Sequence, residues 1–303
     1  MSLVSRVQSR VQGRRPYSAE VFPDCASCGS TRRAKIARRV SFRMAYTNVI
    51  CSDCGLVYLC PRPTAESYAD FYENLYPELY GKTGAGSEPT RRGMDVLAYL
   101  REVVDLPAQR GLFDIGCGDG GLLLAAAEAL AEEPSVAIGG CDPGWRGPAA
   151  ITHEGREIRI SSEPVEHLAD TLGSYSLFLM YDVIEHLLDP VDLLRDLRRL
   201  TLDDALLFVS TSCLDNWREM PPGGWKTYYL RLAHTFTFTE RTLECVLAAG
   251  GWRVVQRRPA PKGDQWVLCD RRDSALPLPP PDAAHVDEVL AWIDLYKQRC
   301  ASA

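Results

Sequence analysis

The sequence predicts an α/β fold: a seven-stranded, mostly parallel, Rossmann-like sheet whose last strands form a hairpin, fronted by a small cysteine-rich module. Three observations carry this. From residue 111 onward, short apolar runs alternate with helical patterns, which implies parallel strands with helices on both faces. The last two apolar runs, in "GWRVVQRRPAPKGDQWVLCD", have no helix between them and read as an antiparallel hairpin. Ahead of all this stand two C-x-x-C-G units, "CASCG" and "CSDCG".

The chain has 303 residues, 46% hydrophobic and 24% charged, ordinary for a globular protein with a large core. No run approaches the roughly 20 apolar residues that span a bilayer. Residues 1–22 form a basic arm without an apolar h-region, so the expected compartment is the cytoplasm. The net charge of −6 is uneven: residues 1–62 carry 11 Lys/Arg against 3 Asp/Glu, a balance of +8, and the remainder carries −14. An acidic body argues against nucleic acid as a partner. The basic front either touches phosphates or docks on that body.

Residues 23–62 hold Cys25, Cys28, Cys51 and Cys54. Two residues between cysteines let both sulfurs converge from a tight turn, and two such turns make the closed tetrahedral set of structural zinc. The β-branched and aromatic insert suits the strands of a zinc ribbon. A metal-free cysteine loop and a redox C-x-x-C are the alternatives. The seven other cysteines of the eleven are scattered, mostly in apolar runs, and read as small buried hydrophobes. Residues 63–104 read as a lid or linker: a helix over 64–75, an aromatic stripe that includes Tyr68, Tyr72, Tyr76 and Tyr80, a glycine-containing loop, and a helix over 89–104.

The main domain, 105–272, has expected strands at 111–115, 136–141, 157–161, 175–180, 204–211, 252–257 and 265–270. Helices are expected at 120–132, 145–152, 190–200 and 239–249. Ligands of such sheets bind at the carboxyl ends of the strands. The first strand ends in "DIGCGDGG", which contains G-x-G-x-x-G through Gly116, Gly118 and Gly121. Asp114, two residues ahead of the first loop glycine, would repel a pyrophosphate. It suits instead a ligand with an ammonium and a sulfonium, S-adenosylmethionine. Asp142, 26 residues after Gly116, is placed to accept two ribose hydroxyls. Ser162 and Glu163 end the third strand near an adenine edge. Tyr181, Asp182, Glu185 and His186 leave the fourth.

These motifs together, D-I-G-C-G-D-G, the acid of "GCDPG", "YDVIEHLLDP" and the final hairpin, resemble class I S-adenosylmethionine-dependent methyltransferases over roughly residues 90–270. The C-x-x-C-G pair followed by "GLVYLCPRPT" resembles the zinc-ribbon-headed methyltransferases of sugar and antibiotic biosynthesis. The resemblance implies that Gly116, Cys117 and Gly118 lie under the methionine part of the cofactor and that Asp114 holds its amino group. It places Asp142 on the ribose, Ser162 or Glu163 near the adenine, and the Met180–Tyr181 backbone across the site. Tyr76 or Tyr80 would reach the carboxylate. The implied reaction is methyl transfer to a small polar acceptor, a hydroxyl of a sugar or sugar-containing natural product. C-methylation of a nucleotide-linked keto sugar and a non-catalytic binding module are the alternatives.

Two histidines are candidates for the acceptor's proton. His186 either faces the acceptor or bonds backbone. His234 returns from the aromatic insertion 212–237, the expected acceptor pocket, and is either a general base or a hinge contact. His153, His167 and His285 read as solvated. Residues 273–303 read as a proline linker and one helix.

Overall fold

The structure is a computed structural model, which describes residues 17–21, 24–41, 44–75, 89–221, 232–273, 280 and 282–302. The front contributes β1 (Ala19–Glu20), β2 (Arg33–Ser41), β3 (Met44–Cys51), β4 (Val57–Leu59) and β5 (Arg62–Pro63). Helix α1 (Ala65–Asp70) starts at Thr64, whose hydroxyl accepts from the Ser67 amide, and continues as a widened turn over Phe71–Leu75. Helix α2 (Arg91–Val103) is capped the same way by Thr90, on the Gly93 amide.

The main domain follows as β6 (Gly111–Ile115), α3 (Gly121–Ala129), β7 (Ala137–Cys141), β8 (Ala150–His153), β9 (Arg156–Ser161), β10 (Leu177–Tyr181), α4 (Pro190–Leu200), β11 (Leu206–Ser212), β12 (Phe236–Thr237), α5 (Glu240–Ala249), β13 (Trp252–Ala260) and β14 (Asp264–Arg271). Helix α6 (Ala283–Ala301) ends the chain. The large sheet has the order β13-β14-β11-β10-β6-β7-β9-β8. Its five inner strands from β11 to β9 are parallel, and the β13–β14 hairpin lies antiparallel against β11.

The sheet has one strand more than the seven expected. The helix expected over 145–152 is absent, and Ala150–His153 pairs antiparallel with β9 instead. Gly147 and Pro148 break any helix there, and the Trp145 indole N–H donates to the Pro148 carbonyl at 2.9 Å. Glu154 and Gly155, both at positive φ, then turn the chain back as a hairpin.

Alternation along the strands divides the core in two. Phe113, Ile115, Phe178 and Met180 face one side and Leu112, Leu177 and Leu179 the other. The second side is covered by α2 and by α3, in which residues 121–127 are all buried. The first side is covered by α4 and α5 and by the front module, whose Cys25, Val49, Leu56 and Tyr58 belong to the same continuous cluster. The module's own sheet, β12-β4-β3-β2, takes its fourth strand from the main domain. Phe236 pairs with Tyr58 and Thr237 with Val57, and the Leu59 amide donates to the Thr235 carbonyl at 2.9 Å.

Helix α6 closes the other face of that module, with Val289, Ile293 and Tyr296 packed on Ile50, Val57 and Trp217. Its His285 is buried rather than solvated, 2.9 Å from the Thr239 hydroxyl that caps α5. No helix among the described residues is long and apolar enough to cross a membrane.

Candidate active site

The chain runs from β6 outward through β7 to β9, then crosses back to β10 on the other flank of β6. A crevice opens at that reversal, beyond the carboxyl ends of the strands. It is a cavity of about 540 Å³. It is lined by Asp114, Gly116, Cys117, Gly118 and Asp119 after β6, by Asp142, Pro143 and Gly144 after β7, and by Tyr181, Asp182 and Val183 at the end of β10.

The glycine loop presents bare backbone to this space. Gly116 has φ +74°, and a Cβ there would stand 2.6 Å from Val183 Cγ2. Gly120, at φ +81°, turns the chain into α3. Asp142 sits at the end of β7, where its two carboxylate oxygens accept from the amides of Gly118 at 2.8 Å and Gly144 at 2.7 Å. Those bonds fix the carboxylate in the mouth of the loop. Asp114 lines the floor, 2% exposed. Burial beside Asp114 and Asp142 pushes the Cys117 thiol up, which keeps it protonated and poorly nucleophilic.

At the far end the cavity meets a polar cluster. Glu185 and His186 leave β10 on a 3-10 turn, and His234 enters from the residues just before β12. The two imidazoles meet edge to face with centroids 4.7 Å apart. His186 Nδ1 lies 2.7 Å from the Ala233 carbonyl and 2.7 Å from the Tyr72 hydroxyl. The carbonyl can only accept, so Nδ1 carries a proton, and in a neutral ring the lone pair then lies on Nε2. The Tyr68 hydroxyl lies 2.6 Å from the His186 carbonyl and 2.8 Å from that of Ala233. Helix α1 thus fastens the two histidine segments together.

Glu185 is 3% exposed, and burial, reinforced by the Asp182 charge, raises its pKa well above the carboxylate range. Asp264 opens β14 directly opposite Ser212. Burial, again with Asp182 nearby, pushes its carboxyl up to about 7. Arg92, on the first turn of α2, reaches Asp182 at 3.5 Å. Asp182 itself has φ +56°, a backbone state that is costly for a residue with a side chain.

Of the residues singled out from sequence, Asp114, Gly116, Cys117, Gly118, Asp142, Tyr181, His186 and His234 line this one cavity. Ser162 and Glu163 do not. Both are exposed, and Glu163 lies 3.5 Å from His167. Pro143 and Gly144, just after β7, line the cavity instead. Met180 is fully buried between Ile115 and Val209 and does not reach the cavity. Tyr76 and Tyr80, and residues 222–231 of the insertion 212–237, lie outside the described residues. Tyr68, Tyr72, Thr90, Arg92, Ser212 and Asp264 line the cavity without having been assigned to it. The i, i+4 spacing of Tyr68 and Tyr72 was the one local signal among them.

The four front cysteines converge. Cys25 and Cys54 sulfurs lie 3.6 Å apart, as do those of Cys28 and Cys51, and all four are within 4.8 Å of one another. A disulfide would need about 2.05 Å. A tetrahedron with metal–sulfur bonds of about 2.3 Å has edges of about 3.8 Å, so the donor set fits a zinc ion.

Two ubiquinone biosynthesis O-methyltransferases, from Vibrio campbellii and Vibrio parahaemolyticus, are 29% and 28% identical over 119 residues. Those residues are 38% of this chain and 49% of theirs, so the chain spans about half the length of the curated relatives it matches. Among solved structures, the CcbJ methyltransferase from Streptomyces caelestis aligns with a TM-score of 0.46 at 12% identity, over 68% of this chain and 99% of its own. Human N-acetylserotonin methyltransferase in complex with SAM aligns at 0.45 and 20%, over 69% and 57%. A family model described as a methyltransferase domain matches residues 90–257, more than half of the chain, and the chain belongs to that family.

Proposed function

We propose that this protein transfers a methyl group from S-adenosylmethionine to an oxygen of a small polar acceptor, a hydroxyl of a sugar or sugar-containing natural product, with a zinc ion holding the front module together. One observation carries the reading. A single cavity joins a bare glycine loop flanked by Asp114 and Asp142 to a pair of histidines, of which His186 is held by Tyr72 and the Ala233 carbonyl.

The residues fit the cofactor. Gly116 leaves no room for a side chain, Asp142 is a carboxylate fixed by two backbone amides and suited to a ribose diol, and Asp114 is a buried acid suited to an ammonium group. Arg92 and Thr90, which line the cavity, would hold the amino-acid carboxylate, and Pro143 and Gly144 would border the adenine. S-adenosylmethionine supplies, when bound, an electrophilic methyl group on a sulfonium.

The chain's task is then alignment of the acceptor and removal of its proton. Proton removal falls to the cluster of Glu185, His186 and His234, which contains both histidines lining the cavity. The Ala233 carbonyl aims the His186 ring, and Tyr72 steadies it. Tyr68 holds the Ala233 segment in place. The four cysteines leave no open coordination position, so their zinc supports the fold and takes no part in transfer.

The test is a screen of sugar and nucleotide-sugar acceptors with labelled cofactor, followed by NMR location of the methyl group. A methyl ether is the expected product. A methyl on carbon would move the reading to C-methylation. A failure to bind S-adenosylmethionine by calorimetry would remove it altogether.

A further inference from the structure

We propose that Glu185, His186 and His234 form a second metal site, for a divalent first-row transition-metal ion, set in the wall of the cavity and distinct from the four cysteines. It rests on the reading above that the acceptor meets this cluster.

One carboxylate oxygen of Glu185 and one ring nitrogen of each histidine lie within 4.8 Å of one another. Ligands around an ion with bonds of about 2.1 Å stand about 3–3.5 Å apart, so small side-chain rotations close the set. Two imidazoles and a carboxylate suit zinc, iron, cobalt or nickel in preference to magnesium or calcium. Three protein ligands also leave positions open for an acceptor oxygen.

Two further observations point the same way. Glu185 is 3% exposed, yet its Oε2 has no hydrogen-bond partner among the described residues. A buried carboxylate oxygen left without a donor is costly, and a cation resolves it. A neutral Glu185 leaning on Thr211 would ease the charge but gives no reason for two imidazoles to converge on it. The His186 Nδ1 contact with the Ala233 carbonyl at 2.7 Å is the outer-shell bond that a ligating imidazole uses to fix its ring and its lone pair. The ligands also arrive on restrained backbone. Two come from the turn that follows a central strand, and the third from residues tied into the front module's sheet.

With an ion there, an acceptor hydroxyl on an open position is acidified. Its proton leaves to solvent water, its oxygen forms the bond to the methyl carbon, and the carbon–sulfur bond breaks with the electron pair staying on sulfur. His186 and His234 then act as ligands.

Cobalt titration of the metal-free full chain tests this. Thiolate-bound cobalt gives intense near-ultraviolet charge-transfer bands, whereas cobalt on nitrogen and oxygen gives only a weak visible band. The expected result is about two equivalents bound, one of them through the weak, sulfur-free band. Glu185→Gln and His234→Gln should each weaken cobalt binding in that band by more than about tenfold. The thiolate bands should be unchanged, which also reports that each variant is folded. A sulfur-free band that never forms, or that survives in both variants, overturns the proposal. Calorimetry with S-adenosylmethionine on the same samples separates the two readings. Cofactor binding without the second equivalent defeats the metal site alone, and the second equivalent without cofactor binding supports the metal site while defeating methyl transfer.

Discussion

Asp264→Asn should flatten the pH dependence of stability. Asp264 is 7% exposed and shares the cavity with Asp182, and burial first, then that neighbouring charge, pushes its carboxyl up to about 7. In the unfolded chain it ionises near 4. Because the folded pKa is the higher one, the folded state holds the proton more tightly. The stability this contributes is complete below about pH 4 and is lost as pH rises through about 7. Three pH units at 1.36 kcal/mol each set a ceiling of about 4 kcal/mol, and relaxation around the carboxylate brings the expectation to about 2–4 kcal/mol. An amide at this position does not titrate. About two of those three units fall within pH 5–8, so urea unfolding of both proteins at pH 5, 6, 7 and 8, without cofactor, should show the variant gaining on the wild type by about 1.5–2.5 kcal/mol across the series. Parallel curves, with a difference constant to about 0.5 kcal/mol, would refute the assignment of the raised carboxyl to Asp264.

His186→Ala should lower turnover by about a hundredfold in a methyl-transfer assay, whether the ring takes the proton or binds an ion. Tyr72→Phe keeps the ring of Tyr72 and removes its 2.7 Å contact with His186. It should lower kcat by about three- to tenfold with little change in KM for the cofactor, since one neutral hydrogen bond is worth about 1 kcal/mol. Gly116→Ala places a Cβ 2.6 Å from Val183 at a positive φ and should reduce cofactor affinity by more than about tenfold, measured by calorimetry. Cys51→Ser should leave a chain with substoichiometric zinc, read by metal analysis, and a melting temperature lowered by several degrees.

What could be read from the sequence was local. The order of strand and helix, the acid–glycine loop after β6, Asp142 at the end of β7 and the paired C-x-x-C-G turns each depend on residues a few positions apart, and each is in place. The strand at Ala150–His153 was missed because apolar residues over 145–152 were read as a helix face, although Gly147 and Pro148 interrupt it. The polar end of the cavity was only half visible, for a different reason. Tyr72 and His186 are 114 positions apart, and Tyr68 and Ala233 are 165 apart. Nothing near Asp264 in the sequence shows that it faces Ser212 across a strand pair. Such contacts come from topology, and a spacing rule has no access to them.

The strand that β12 lends to the front module has a practical consequence. A cut at residue 62 or 63, where composition and proline suggest a boundary, would strip β12 of its strand partner β4 and expose β4 as a raw edge. The same cut would release Tyr68 and Tyr72 from the chain that positions them. The module therefore cannot be exchanged between homologues as a cassette. A chimera joined there should aggregate or lose the alignment of His234, whereas one that carries residues 17–75 and 232–239 across together keeps both halves of the shared sheet.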